Sequence, residues 1–299
     1  MTAVHVPVLL HEVITGLSLS SGAVVVDATL GAGGYAKALC EVVGSEGVLV
    51  GFDRDAEAVL RAREVLKGSA CTTHLLECDF RHLDAGLAQA GVNDVDAVIF
   101  DLGLSSLQLE SSGRGFSFQK NEPLLMTFAD RPGKDDITAR HIVNDWSEEV
   151  IANVLYGYGE ERFARRIARG IILARAKKPV ETTHELTEIV ATSVPESYRR
   201  QKIHPATRTF QALRIAVNDE IRALEETLPK TIAHLKSNGR VAVVSFHSIE
   251  DRIVKRFFIG WEREEMGKRV TKKPITPSEK ETKENPRSRS AKLRIFEKA

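Results

Sequence analysis

An α/β fold built on a parallel sheet is predicted by three features of the sequence. Apolar runs at Ala23–Val26, Val48–Phe52 and Val95–Phe100 are short and nearly unbroken, as parallel strands buried on both faces require. Each run closes on an acid: Asp27, Asp53 and Asp101. The runs alternate with helix-like stretches, which puts crossover helices between parallel strands. In such a sheet, ligands bind beyond the carboxyl ends of the strands. The three carboxylates are therefore expected to share one crevice.

In chain order, helices are expected at Pro7–Leu17, Tyr35–Val43, Ala56–Leu66 and Leu83–Ala90. A further strand, Thr72–Cys78, ends at Asp79-Phe80. After Asp101 the alternation stops. A glycine-rich loop from Ser111 to Phe116 leads into helical patterns at Ser147–Leu155, Glu160–Lys177 and His184–Ser193. The α/β signal returns with a helix over Thr207–Lys236, a strand at Val241–Ser245 and a helix at Glu250–Trp261. Lys268–Ser290 reads as a loop with a short strand near Arg269-Val270, and Lys292–Phe296 as the last strand. The expectation is one α/β domain formed by 1–111 and 209–299, interrupted by a helical domain at 112–208.

Composition sets outer limits. With 299 residues, 42% apolar and 28% charged, the chain can bury a large core. No apolar stretch approaches the roughly 20 residues of a membrane span. The first residues lack the basic, apolar and small-residue order of a signal peptide. Three cysteines, Cys40, Cys71 and Cys78, have no zinc spacing, and their odd number argues against a disulfide framework. Free thiols, no metal and a cytoplasmic location are expected. Net charge is only +1, yet cations cluster: seven between Arg162 and Lys178 and five between Tyr198 and Arg214, with no acid in either. Between Glu262 and Ala299 there are twelve basic and seven acidic side chains. Such clusters are either solvated faces or a footprint for phosphates.

The turn Thr29-Leu30-Gly31-Ala32-Gly33-Gly34 follows the first strand. Gly31-x-Gly33-x-x-Ala36, with Asp53 about 20 residues on, satisfies the dinucleotide fingerprint, so an NAD-dependent dehydrogenase is one reading. S-adenosylmethionine is the other. Both bring ribose hydroxyls for Asp53 to accept from, but only the methyl donor brings an ammonium and a sulfonium. The extra carboxylates Asp27 and Asp101 suit those cations and would stand badly beside a pyrophosphate. Asp27 could alternatively be a local cap. Phe80 could stack on an adenine and Asp79 accept from its exocyclic amine, or the pair could be core and turn.

Asp101-Leu102-Gly103-Leu104 offers acceptors suited to an exocyclic amine, whose lone pair is delocalised into its ring. Acceptors aimed at its hydrogens favour pyramidal nitrogen and stabilise the charge that develops. The motif carries no aromatic to stack on a base. Phe116, Phe118 and Phe246 are the candidates to supply one. His247, in Ser245-Phe246-His247-Ser248, could take a proton, hold the base, or serve as a structural hydrogen-bonding residue.

Longer motifs carry a resemblance. They include His5-x-Pro7-Val8-Leu9-Leu10-x-Glu12, Gly31-Ala32-Gly33-Gly34, Phe52-Asp53-Arg54-Asp55 and Asp101-Leu102-Gly103-Leu104-Ser105-Ser106. Arg114-Gly115-Phe116-Ser117-Phe118, Tyr158-Gly159-Glu160-Glu161-Arg162-Phe163, His204-Pro205-Ala206-Thr207-Arg208 and Ser245-Phe246-His247-Ser248-Ile249-Glu250 follow in order, and Asn285-Pro286-Arg287-Ser288 closes the set. Over nearly its whole length the chain resembles the small-subunit rRNA (cytosine-N(4))-methyltransferases, the RsmH/MraW family. The resemblance implies a class I methyltransferase sheet with an inserted helical domain. It implies transfer from S-adenosylmethionine to a cytidine amine in the decoding region of small-subunit rRNA, with rRNA or the assembled subunit as partner. It carries cofactor contacts onto Gly33, Gly34, Tyr35, Asp53, Phe80, Asp101 and Gln108, and Asp101, Phe246 and His247 stand at the reacting side. The insertion and basic segments would grip RNA. Two departures stand out. Tyr35 replaces a usual histidine, and Leu125 and Thr127 replace an acid and a base of a Pro-Leu-Asp-Met-Arg-Met pattern. The second departure also admits a ribosome-assembly factor with impaired turnover.

Overall fold

The computed structural model describes residues 7–105, 108–109, 112–130, 133 and 136–299. His5, Ser106 and Ser111 lie outside the described residues. The chain forms two compact units, Met1–Gly103 with Ile221–Ala299, and Leu104–Glu220. These divisions lie 8 residues before the 111/112 junction and 12 after the 208/209 junction expected above.

The first unit is a seven-stranded sheet. Its strands are β1 (Val24–Asp27), β2 (Val48–Asp53), β3 (Thr72–Glu77), β4 (Val95–Asp101), β5 (Leu235–Ser245), β6 (Gly267–Arg269) and β7 (Lys292–Lys298). The order is β3-β2-β1-β4-β5-β7-β6. β1 to β5 pair in parallel, while β7 runs antiparallel to both β5 and β6. The first five strands keep the doubly wound order, with its reversal between β1 and β4. This is a Rossmann-like class I sheet: the apolar runs predict its parallel strands, and the class I form is the one the resemblance implies.

Side chains alternate along each strand, so the sheet is buried on both faces. Val25, Leu49, Ala97 and Ile99 pack with α1 (Leu10–Leu17), α2 (Gly34–Val43) and α3 (Ala56–Val65). Val26, Val50, Val98 and Phe100 face α4 (Leu83–Gln89), α11 (Glu220–His234) and α12 (Ser248–Arg263). The second unit holds α5 (Ala139–Asp145), α6 (Glu148–Gly159), α7 (Ala164–Arg175), α8 (Thr183–Ser193), α9 (Glu196–Arg199) and α10 (Thr207–Asn218). Their apolar stripes, among them Ile142, Leu155, Ile167, Ile171, Val190 and Leu213, close a core of their own.

Several expectations are corrected. The helix expected over Thr207–Lys236 is two, because Asp219 takes a left-handed conformation (φ 51°) and ends α10. The following strand begins at Leu235 rather than Val241. α1 starts at Leu10, after Leu9 in the left-handed region. The loop after Lys268 contains α13 (Glu279–Glu284), capped by the Ser278 side chain. The cysteines are not all free. Cys40 on α2 and Cys71 ahead of β3 are joined, with Cα atoms 5.3 Å apart, and only Cys78 remains a thiol. An odd count excludes complete pairing but not a single bond between neighbouring elements. Among the described residues no helix is long and apolar enough to cross a membrane.

Candidate active site

The site is built where the sheet order reverses. Asp27 is level with Gly51 of β2 and Ile99 of β4, so Asp53 and Asp101 stand two residues further along their strands. At about 3.3 Å per residue, the two flanking carboxylates rise roughly 6–7 Å above the floor set by Asp27. The result is a notch with acids at its base and on both walls.

Local hydrogen bonds hold the notch open. Asp27 is fully buried, and its Oδ1 accepts from Thr29 N at 3.1 Å. Thr29 Oγ1 in turn accepts from Asp101 N at 2.6 Å, tying the first turn to the end of β4. Asp53 accepts from Gly31 N at 2.8 Å and from Asp55 N at 2.9 Å, which fixes the glycine loop against β2. Gly33 caps α2 with φ 84°, and a Cβ there would sit 3.2 Å from Ala62 Cα. A Cβ on Gly34 would sit 2.7 Å from the Pro7 ring, so the backbone must be bare at this corner.

Two carboxylate oxygens in the notch, Asp27 Oδ2 and Asp101 Oδ1, are buried without a hydrogen-bond partner. Burial pushes Asp27 up to about 7, and neighbouring Asp53 adds to this against the opposing pull of the Thr29 amide. Asp101 is also driven well above the usual carboxylate range, first by burial and then by Asp27 and Glu250. Crowded acids without counter-charge resist ionising. A cation placed between them would reverse that, and its N–H donors would satisfy the orphaned oxygens. Tyr35 is buried, and its hydroxyl donates to the Val8 carbonyl. Its own ionisation is pushed well above 10 by burial, then by Asp101 and Asp27. The side chain thus ties down the segment ahead of α1.

The remaining candidates divide by unit. Phe80 is half-buried at the end of β3 and meets Phe100 edge-on at 5.6 Å. Asp79 caps the short 3₁₀ turn after it by accepting from Arg81 N, and lies 3.5 Å from Arg54 and 3.7 Å from Arg81. Phe246 follows β5 and lies beside Gly103, where a Cβ would come within 3.4 Å of its ring. His247 caps α12: its Nδ1 accepts from Glu250 N, and Glu250 Oε2 accepts from Phe246 N at 2.8 Å and His247 N at 3.3 Å. His247 Nε2 lies 3.0 Å from Glu250 Oε1 but off the line of a hydrogen bond. Gln108, Phe116 and Phe118 belong to the helical unit. Gln108 is buried and accepts from Ser105 N. Phe116 pairs with Phe128 in the core, while Phe118 stacks on His204 at 4.4 Å. Among the three aromatic candidates, Phe246 alone shares the notch's unit.

Thr29 and Glu250, which are not among the sequence candidates, hydrogen-bond to Asp101 and to Phe246 and His247, respectively. His247-x-x-Glu250 has capping-box spacing, which could have marked Glu250. The altered loop is also anchored. Asn218 donates to the Met126 carbonyl and accepts from Phe128 N, while Arg114 donates to the carbonyls of Thr127 and Phe128. Thr127 itself is buried and bonds to the Ala129 carbonyl.

With this geometry in place, sequence comparison decides between the two cofactor readings. The profile of the MraW methylase family matches residues 2–299. The chain belongs to the MraW methylase family. Its relatives include the "Ribosomal RNA small subunit methyltransferase H" of Brevibacillus brevis, 41% identical over 98% of both chains. The protein of the same name from Geobacter sp. strain M21 is 43% identical, again over 98% of each. Among solved structures, an rRNA methylase from Streptococcus thermophilus superposes with a TM-score of 0.47 over 99% of both chains at 14% identity, too loosely to add weight. Family membership displaces the dehydrogenase reading of the glycine turn.

Proposed function

We propose that this chain methylates the exocyclic N(4) amine of a cytidine in the decoding region of small-subunit rRNA. When bound, S-adenosylmethionine supplies an electrophilic methyl group. The carrying observation is the pair of buried, unpartnered oxygens on Asp27 and Asp101 at the sheet's reversal, in a chain of a methylase family. They fit the ammonium and sulfonium of that donor, which a neutral or anionic ligand would not supply.

The other roles follow from position. Asp53 accepts from the ribose hydroxyls, the backbone of Gly33, Gly34 and Tyr35 at the start of α2 borders the donor, and Phe80 offers its ring to the adenine. Gln108 is assigned by family resemblance alone. On the reacting side, Asp101 accepts a hydrogen of the amine as the nitrogen becomes nucleophilic, and Phe246 stacks on the base. His247 holds the turn that presents Phe246 and the backbone carbonyls to the base; its ring is already committed to the α12 cap. The released proton leaves to water. The helical unit would recognise the substrate, with base contacts choosing the cytidine, and the work would be cytoplasmic.

Labelled methyl transfer to small subunits from cells lacking this modification, followed by nucleoside mass spectrometry, tests the reading. N(4)-methylated cytidine is the expected product. Binding of donor and subunit without label would instead support the assembly-factor reading that Leu125 and Thr127 motivate.

A further inference from the structure

We propose that the solvent face of α7, continued by the Arg162 and Arg199 corner, is one arginine surface that grips the phosphate backbone of the RNA. The inference rests on the rRNA reading above and adds the residues that would hold the polymer. Arg162, Arg165, Arg166 and Arg169 recur at helical spacing, with Leu173 and Lys177 further along the same face, and all six are exposed. Arg162 precedes the helix, and Arg165 to Arg169 span about 6 Å along its axis. α7 contains no acid, and Arg162, Arg165, Arg166 and Arg169 make no ion pair among the described residues. Three other exposed cations of this unit are paired: Arg140 with Glu181, Lys178 with Glu185 and Arg200 with Glu196.

The corner at the start of α7 is built. Glu161 is fully buried, accepts from Tyr198 Oη at 2.7 Å and from Phe163 N at 2.8 Å, and so fixes both rings. The Arg162 guanidinium lies over the two of them, 4.9 Å from the Phe163 centroid and 4.7 Å from that of Tyr198. Arg166 stands 5.8 Å from the same Phe163 ring. Tyr198 lies on α9 beside the exposed Arg199, so two basic clusters that are separate in sequence meet here. A guanidinium held on aromatic faces keeps its donors pointed outward at low entropic cost.

A solvated surface alone does not account for this face. Arg165 and Arg166 occupy the first turn of α7, where the helix dipole disfavours cations, and the acid ahead of the helix, Glu161, is buried and already accepts from Tyr198 Oη and Phe163 N. Arg165 and Arg169 repel one another at four-residue spacing on the helix, as do Arg166 and Arg169 at three. Local rules broken together at one place mark a functional surface. A membrane does not fit, because the apolar face of α7 (Ala164, Ile167, Ala168 and Ile171) is buried in the unit's own core. The planar guanidinium instead matches phosphate oxygens.

The test compares wild type with a triple Arg165→Gln, Arg166→Gln, Arg169→Gln variant of the full chain. Binding to an unmodified small-subunit rRNA transcript is measured against salt. The slope of log K on log salt should become shallower by about 2–3, at about 0.7–0.9 per lost phosphate contact. Affinity at low salt should fall at least tenfold, while S-adenosylmethionine binding stays unchanged. A folded variant with the wild-type slope overturns the proposal, and methyl transfer by wild type would in that case leave the rRNA reading standing. Conversely, a slope lost in the variant with no transfer by wild type would sink that reading and keep the surface. Binding of anionic phospholipid vesicles through these arginines, with no effect on the RNA slope, also overturns it. If the triple variant does not fold, Arg169→Gln alone decides, with an expected change of about 0.7–0.9.

Discussion

Replacing Asp27 by asparagine should make the ligand-free protein more stable above pH 7 and no more stable below pH 5. Asp27 is raised from 3.8 to about 7 by its burial, with Asp53 adding to the effect. Below about 4 the carboxyl is protonated in folded and unfolded chains alike and has no effect. As pH rises toward 7 the unfolded chain gives up this proton while the folded chain keeps it, so stability falls. The loss grows by about 1.4 kcal/mol for each pH unit between the unfolded and folded values, reaches at most about 4 kcal/mol, and is complete above the folded one. Asparagine has no proton to lose and keeps an oxygen for the Thr29 amide. Its NH₂, placed where Asp27 Oδ2 has no partner, costs about 1–3 kcal/mol as an unsatisfied donor. The net gain at pH 8 is therefore roughly 1–3 kcal/mol, turning to a loss at pH 4.5. Urea unfolding of both proteins at pH 4.5, 6 and 8 measures it. A stability difference that does not change with pH would refute the reasoning, because it would mean that Asp27 is ionised throughout.

Three further substitutions probe the rest of the site. Asp53→Ala should weaken S-adenosylmethionine binding by about 1.5–3 kcal/mol, the worth of a charge-assisted hydrogen bond; unchanged calorimetric affinity would remove the ribose assignment. Asp101→Ala should lower turnover far more than rRNA affinity, as single-turnover and filter-binding assays would show, and equal losses in both would undo its place at the reacting centre. Asn218→Ala leaves the Phe128 amide and the Met126 carbonyl without their partner. The unfolding free energy should then drop by about 2–4 kcal/mol, whereas a drop under half a kilocalorie would show that the loop does not depend on α10.

The sheet was legible because parallel strands buried on both faces leave unbroken apolar runs, and because Asp27, Asp53 and Asp101 each close one. What the sequence concealed was contact. A bond from Asp101 N to Thr29 Oγ1 joins residues 72 apart, and no periodicity signals it. The break at Asp219 is masked because the apolar pattern of α10 runs on into α11. Cys40 and Cys71 are 31 residues apart, and only the packing of α2 near the start of β3 brings them together. Three phenylalanines were equivalent candidates on paper. Phe116 and Phe118 proved to be committed to aromatic packing in the helical unit.

The central claim is that the crowded carboxylates at the sheet's reversal await a cationic methyl donor. Calorimetric titration of S-adenosylmethionine at pH 6.5, in two buffers of different ionisation enthalpy, tests it most directly. A cation lowers the raised Asp27 and Asp101 values, so binding should release protons, tighten as pH rises toward 7, and lose the Asp27 share of both effects in Asp27→Asn. Binding with no proton exchange and no pH dependence would contradict the account.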